Sequence, residues 1–236
     1  MTLGARAVGW GLLALVLTSA SSGRAQTALE EAARPLVRPP VWEVEAGLRT
    51  MFIKDAGYDP FSADDALAQF SLTATRALVR RGDLALAAGV GLDLGGSSAT
   101  ARGASSSLTL TRVSAVAEGR YQPLSRLYLF GRLAPGLLHG SATIDDASSP
   151  AASGLTGNFD SFSLEASGGG ALCFGDIGRP HLGAWLVADG GYGWAAAKPL
   201  ALAPNLGSDQ SKAGTLDLGT LAARGAFFRI AVALSY

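Results

Sequence analysis

From residue 41 onward, apolar side chains recur at every second position, the period of a strand with one oily face. Over 41–53, Trp42, Val44, Ala46, Leu48, Thr50 and Phe52 share one face, and Glu43, Glu45, Gly47 and Arg49 the other. The alternation recurs over 67–80, 84–95, 108–121, 126–138, 160–174 and 181–194. A closing segment, starting as early as residue 216, carries Phe228, Ile230, Val232, Leu234 and Tyr236 in phase. Eight strands are predicted. Their joins alternate: 80–83, 122–125 and 175–180 are short turns, whereas 54–66, 96–107, 139–159 and 195–215 are long. The long joins are rich in Ser, Gly, Asp and Ala and read as solvated loops. A further hairpin within 195–221 would raise the count to ten. Arg76 falls on the apolar phase of the second strand, which requires a bulge or a side chain that snorkels toward the turn.

Alternation does not say which face is wet. The polar face is sparse and small, mostly Gly, Ala and Ser with a few ionic residues, which suits a narrow lumen filled by side chains. Aromatic residues gather at strand ends on the apolar phase: Trp42, Phe52, Tyr121, Phe162, Phe174, Tyr192, Trp194, Phe228 and Tyr236. Rings there suit the membrane–water boundary and serve as interface anchors. Short turns on one side and long loops on the other fit a barrel inserted from one side. Backbone groups cannot stay unpaired in lipid, so the sheet must close, the last strand on the first. The expected fold is therefore all-β: a closed, antiparallel, eight-stranded, up-and-down transmembrane barrel. A soluble barrel with its faces reversed is the competing architecture.

Composition sharpens this. Of 236 residues, 48% are hydrophobic and only 16% charged, and the net charge is zero, so nothing favours nucleic acid. Residues 1–25 carry Arg6, an apolar core and then small residues, the pattern of a cleaved secretory signal. Residues 26–40 contain Pro35, Pro39 and Pro40 and read as a periplasmic linker, leaving 41–236 as the barrel. The single cysteine, Cys173, has no internal disulfide partner.

A Lys or Arg facing lipid at mid-bilayer costs about 2–4 kcal/mol. The ionic strand residues must therefore point inward and pair there. Glu43, Glu45, Glu118, Glu165 and Asp189 are matched with Arg49, Arg112, Arg120, Arg132 and Arg229, forming an ion-pair network that plugs the lumen. With the signal segment, the eight strands and a final aromatic preceded by alternating apolar residues, the chain resembles the small eight-stranded bacterial outer-membrane barrels of the OmpA-transmembrane, OmpX and OmpW kind. The resemblance implies the cell outer membrane, lipid and lipopolysaccharide as partners, and insertion machinery that reads the last strand. It also implies a monomer.

Catalytic chemistry is faint. The histidines are His139 and His181, placed at opposite rims, where they share no metal. Ser141, Asp145 and Asp146 follow His139 and allow a Ser–His–acid hydrolase, but they fall in a stretch where serines are common anyway. The glycine runs at 167–175 and 189–194 lack a phosphate-binding pattern, and Asp55, Asp59, Asp64 and Asp65 lack the spacing of a calcium loop. No catalytic, cofactor or metal residue is assigned and no enzyme is expected. The expected role is structural or interactive. A narrow channel for small apolar solutes, lined by Tyr128, Phe130 and Trp185, is the alternative, and a lipid-modifying enzyme comes third.

Overall fold

The computed structural model describes residues 41–101, 104–146, 154–176, 182–204 and 215–236. The expected signal segment and linker, His181 and most of the 175–180 turn lie outside the described residues. The elements are β1 (Trp42–Phe52), a 3-10 turn (Asp59–Phe61), β2 (Ala66–Arg81), β3 (Leu84–Ala101), β4 (Ala104–Leu124), β5 (Leu127–Asp146), β6 (Leu155–Asp176), β7 (Gly183–Ala195), β8 (Lys198–Pro204), β9 (Leu216–Leu221) and β10 (Gly225–Ser235).

Each of β1 to β6 pairs antiparallel with its successor, and β10 pairs with both β7 and β1. The ring is thus closed by eight strands, with no free edge to leave backbone groups unpaired in lipid. At the seam, Glu43 faces Ser235 and Met51 faces Phe227. The carbonyl of Tyr236 accepts from the amides of Val41 and Trp42, both at 2.8 Å.

The extra hairpin exists but does not widen the ring. Gly193 faces Gly225 on β7 and β10, and Lys198 faces Leu221 on β8 and β9, an offset of one residue. Likewise Ser163 faces Ala195 and Thr156 faces Ala203 along β6. β8 and β9 therefore continue β7 and β10 upward after a short break, as arms of one long hairpin.

The strands reach further than alternation predicts. β1 and β10 have 11 residues each, the length that crosses a bilayer, whereas β4 and β6 have 21 and 22. The surplus projects from the loop end. His139 lies inside β5 rather than opening a loop, and most of 96–107 is strand. The predicted boundaries fail there because a strand in water has a polar outer face, which erases the contrast that alternation needs.

The outer surface between the ends is oily. Leu48, Val90 and Leu137 are 72%, 62% and 70% exposed, far beyond what a water-soluble surface of this continuity tolerates. All nine predicted anchors point outward: Trp42, Tyr121, Phe174 and Tyr236 at the turn end, and Phe52, Phe162, Tyr192, Trp194 and Phe228 toward the loop end, joined by Phe70. Arg76 also points outward. The bulge in β2 comes after it, between Ala77 and Val79, and its guanidinium lies 5.1 Å from the centre of the Trp42 ring at the turn-end boundary.

Candidate functional site

The interior is filled in three layers. At the turn end, Tyr128, Phe130, Trp185 and Val187 pack together, with the Tyr128 and Trp185 rings 5.2 Å apart. These aromatics point inward, as the solute-channel alternative requires, but they pack on one another.

Above them lie the ions. Arg120 meets Glu118 at 2.5 Å and Glu43 at 3.2 Å, and the Tyr128 hydroxyl donates to Glu43 at 2.7 Å. Arg132 bridges Glu45, at 2.6 Å, and Glu118. Arg229 holds Asp189 at 2.7 Å and approaches Glu45 at 3.1 Å. A second group follows: Arg49 and Arg112 share Asp93, at 3.2 and 2.8 Å, and Glu165, at 2.5 and 2.7 Å. All ten residues assigned to the network point into the lumen and carry an ion pair. Asp93 was missed. It sits on the inward phase of β3, and only its isolation among Gly and Leu hid it.

The third layer is apolar and was not legible. Ile53, Tyr58, Phe61 and Leu67, from β1 through the first residues of β2, pack against Leu108, Leu110, Leu138 and Phe159, and against Leu200, Leu202 and Leu221 of the hairpin. Stretches read as solvated loops thus cap the barrel. Among the described residues, voids of about 30 and 20 Å³ touch the ionic layer, each with room for one or two waters.

One polar constellation remains outside the lumen. On β5, Leu138, Gly140 and Ala142 are buried toward the cap, so His139 and Ser141 point outward. On β6, Phe159 and Ser161 are buried, so Asn158 and Asp160 point outward. The ladder sets His139 opposite Asp160 and Ser141 opposite Asn158. His139 Nδ1 lies 2.8 Å from an Asp160 carboxylate oxygen. A neutral imidazole donating to this carboxylate carries its proton on Nδ1 and its lone pair on Nε2. Ser141 stands one strand repeat along, about 7 Å at the backbone, on the same face. The side chains of His139 and Asp160 are 55% and 86% exposed, so the pair is open to the outside of the barrel.

Its depth is defined by its neighbours. One pair step toward the turn end, the outward residues become Leu137 and Phe162, and on β4 Thr111 gives way to Val113. The constellation therefore sits where the oily belt meets water on the loop side. The carboxylate beside His139 is that of Asp160, from the neighbouring strand, 21 positions on. The signal was present as inverse spacing: H-x-S on one strand and N-x-D on the next, which an antiparallel ladder brings together.

No family model matches the chain, and no curated protein does. Among solved structures, the chain is similar to Neisserial surface protein A, at 13% identity and a TM-score of 0.46, over 83% of this chain and 97% of that one. It is similar to Ail, the attachment invasion locus protein of Yersinia pestis, at 13% identity and a TM-score of 0.44, over 83% and 97%. It is also similar to the outer membrane protease OmpT from Escherichia coli, at 9% identity and a TM-score of 0.45, over 82% and 96%. A closed ring of eight antiparallel strands, oily outside and ionic inside, is the architecture of the small outer-membrane β-barrels, and this protein has it.

Proposed function

We propose that this barrel works from its outer wall, as a hydrolase of acyl esters in the outer leaflet of the outer membrane. The observation that carries the reading is the His139–Asp160 hydrogen bond of 2.8 Å on the lipid-side face, with Ser141 next in line. A serine hydroxyl is a poor nucleophile until a base takes its proton, and a base needs a third group to orient it. Here Asp160 orients His139, and His139 Nε2 takes the Ser141 proton as Oγ attacks the ester carbonyl. The carbon–oxygen bond to the lipid alcohol then breaks, and the alcohol leaves with that proton. Water, activated by the same base, cleaves the acyl-serine and frees the fatty acid.

Location supports the substrate class. Leu137, Val113 and Phe162 form an apolar bed directly below the constellation, where acyl chains run, while the polar side chains stand at ester depth. The outer-leaflet lipid of such membranes is lipopolysaccharide, whose lipid part is multiply acylated. The channel reading is weaker, because three packed layers fill the lumen and, among the described residues, the voids of about 30 and 20 Å³ touching the ionic layer have room for one or two waters each.

The test is the mass profile of lipid extracted from outer membranes carrying the protein. Expression should remove an acyl chain from the outer-leaflet lipid, and Ser141→Ala, inserted equally well, should not. An unchanged profile with the wild-type chain contradicts the proposal and returns the barrel to a structural role.

A further inference from the structure

A serine hydrolase must stabilise the oxyanion that forms as the carbonyl is attacked, and most do so with backbone N–H groups at a turn or helix start. That solution is closed to Ser141. From His139 to Ile144, every β5 residue is paired in register with β4 on one side and β6 on the other, so the amides flanking the serine are committed to the ladders. The donor must come from a side chain on the same outward face. Directly opposite Ser141 stand two polar residues: Asn158 on β6 and Thr109 on β4. Opposed residues in an antiparallel pair have Cβ atoms about 4.5–5.5 Å apart, within reach of the oxyanion on an acyl carbon bonded to Oγ.

Resting on the hydrolase reading, we infer that Asn158 is a catalytic residue whose carboxamide N–H groups bind the oxyanion. Asn158 is exposed and is placed beside Asp160 on the same face of β6, so the acid and the oxyanion donor arrive on one strand and the base and nucleophile on the next. An amide offers two N–H donors and carries no charge, so it does not compete with Asp160 for the imidazole. Thr109 offers a single hydroxyl, and beside it Thr111, opposite His139, completes a polar rim on β4.

The experiment uses the full-length barrel folded in detergent micelles with a long-chain p-nitrophenyl ester. Four variants are compared: Asn158→Ala, Asn158→Gln, Thr109→Val and Ser141→Ala. Heat-modifiable gel mobility verifies that each is folded. Loss of an oxyanion donor is expected to lower kcat about 10²–10³-fold with KM little changed. Asn158→Ala should show that split, Asn158→Gln should recover part of it, and Thr109→Val should remain near wild type. If Asn158→Ala keeps kcat within a few-fold of wild type while Ser141→Ala is inactive, the inference is overturned and the hydrolase reading stands. If Thr109→Val carries the kcat loss instead, the donor is Thr109. If Ser141→Ala retains activity, or the wild-type barrel has none, the hydrolase reading falls and the inference with it.

Discussion

At the scale of single residues, the direction a side chain faces decides what it tolerates, and the glycines show this most sharply. A Cβ at Gly89 would sit 1.9 Å from the carbonyl oxygen of Ala74, whereas one at Gly131 meets nothing within 4 Å. Gly131→Ala should therefore stabilise the barrel by about 0.4–1 kcal/mol, by restricting the unfolded chain. Gly89→Ala should destabilise it by more, since the strands must part. Urea titrations of barrels refolded into lipid vesicles measure both, and equal effects would contradict the assigned faces. At the outer wall, Asp160→Asn keeps shape but removes the charge that fixes the His139 tautomer. In triads of this type the equivalent change lowers kcat by about 10⁴, and a similar loss of ester hydrolysis is expected here. A wild-type rate in that variant would show that Asp160 does not serve the histidine.

At the scale of elements, what was legible follows the solvent boundary. Where one face of a strand meets lipid and the other a narrow lumen, alternation is strong. The in–out phase of Trp42–Phe52, with Glu43, Glu45 and Arg49 directed inward, could be read directly. From the upper edge of the oily belt onward the outer faces turn polar, beginning at Thr109, Thr111, His139 and Ser141, and the extensions of β3 to β6 were mistaken for loop. The cap was hidden for the opposite reason. Its buried leucines, Leu200, Leu202 and Leu221, are set among Ala and Pro in segments too short to show a period, and they pack on residues far away in sequence. The His139–Asp160 pair required knowing the β5–β6 register, which no single stretch of sequence contains. The cap makes its own prediction. Leu202 is fully buried, so Leu202→Ala should cost about 2–5 kcal/mol, felt locally above the membrane. Limited proteolysis should then cut the loop end faster while the folded gel band persists. Loss of the folded band instead would mean that the hairpin holds the ring together.

At the scale of the whole molecule, two jobs are separated by one sheet. The inner face holds the barrel shut, and in the hydrolase proposal the outer face carries the chemistry. Glu118 shows how tightly the inside is committed, because it is buried between Arg120 and Arg132. Removing one partner of a buried pair leaves an uncompensated charge and costs about 3–5 kcal/mol. Glu118→Gln should thus lower the urea midpoint of the refolded barrel, and unchanged stability would contradict the network. The same variant should retain hydrolysis wherever it remains folded, since no plug residue reaches the outer wall.

The most direct measurement of the central claim is covalent labelling of the folded barrel with a long-chain fluorophosphonate, followed by peptide mass spectrometry. This reagent reacts only with a serine whose proton a neighbouring base removes. The account predicts one adduct, on Ser141, lost in His139→Ala and much reduced in Asp160→Asn. An unlabelled barrel, or an adduct on any other serine, would contradict it.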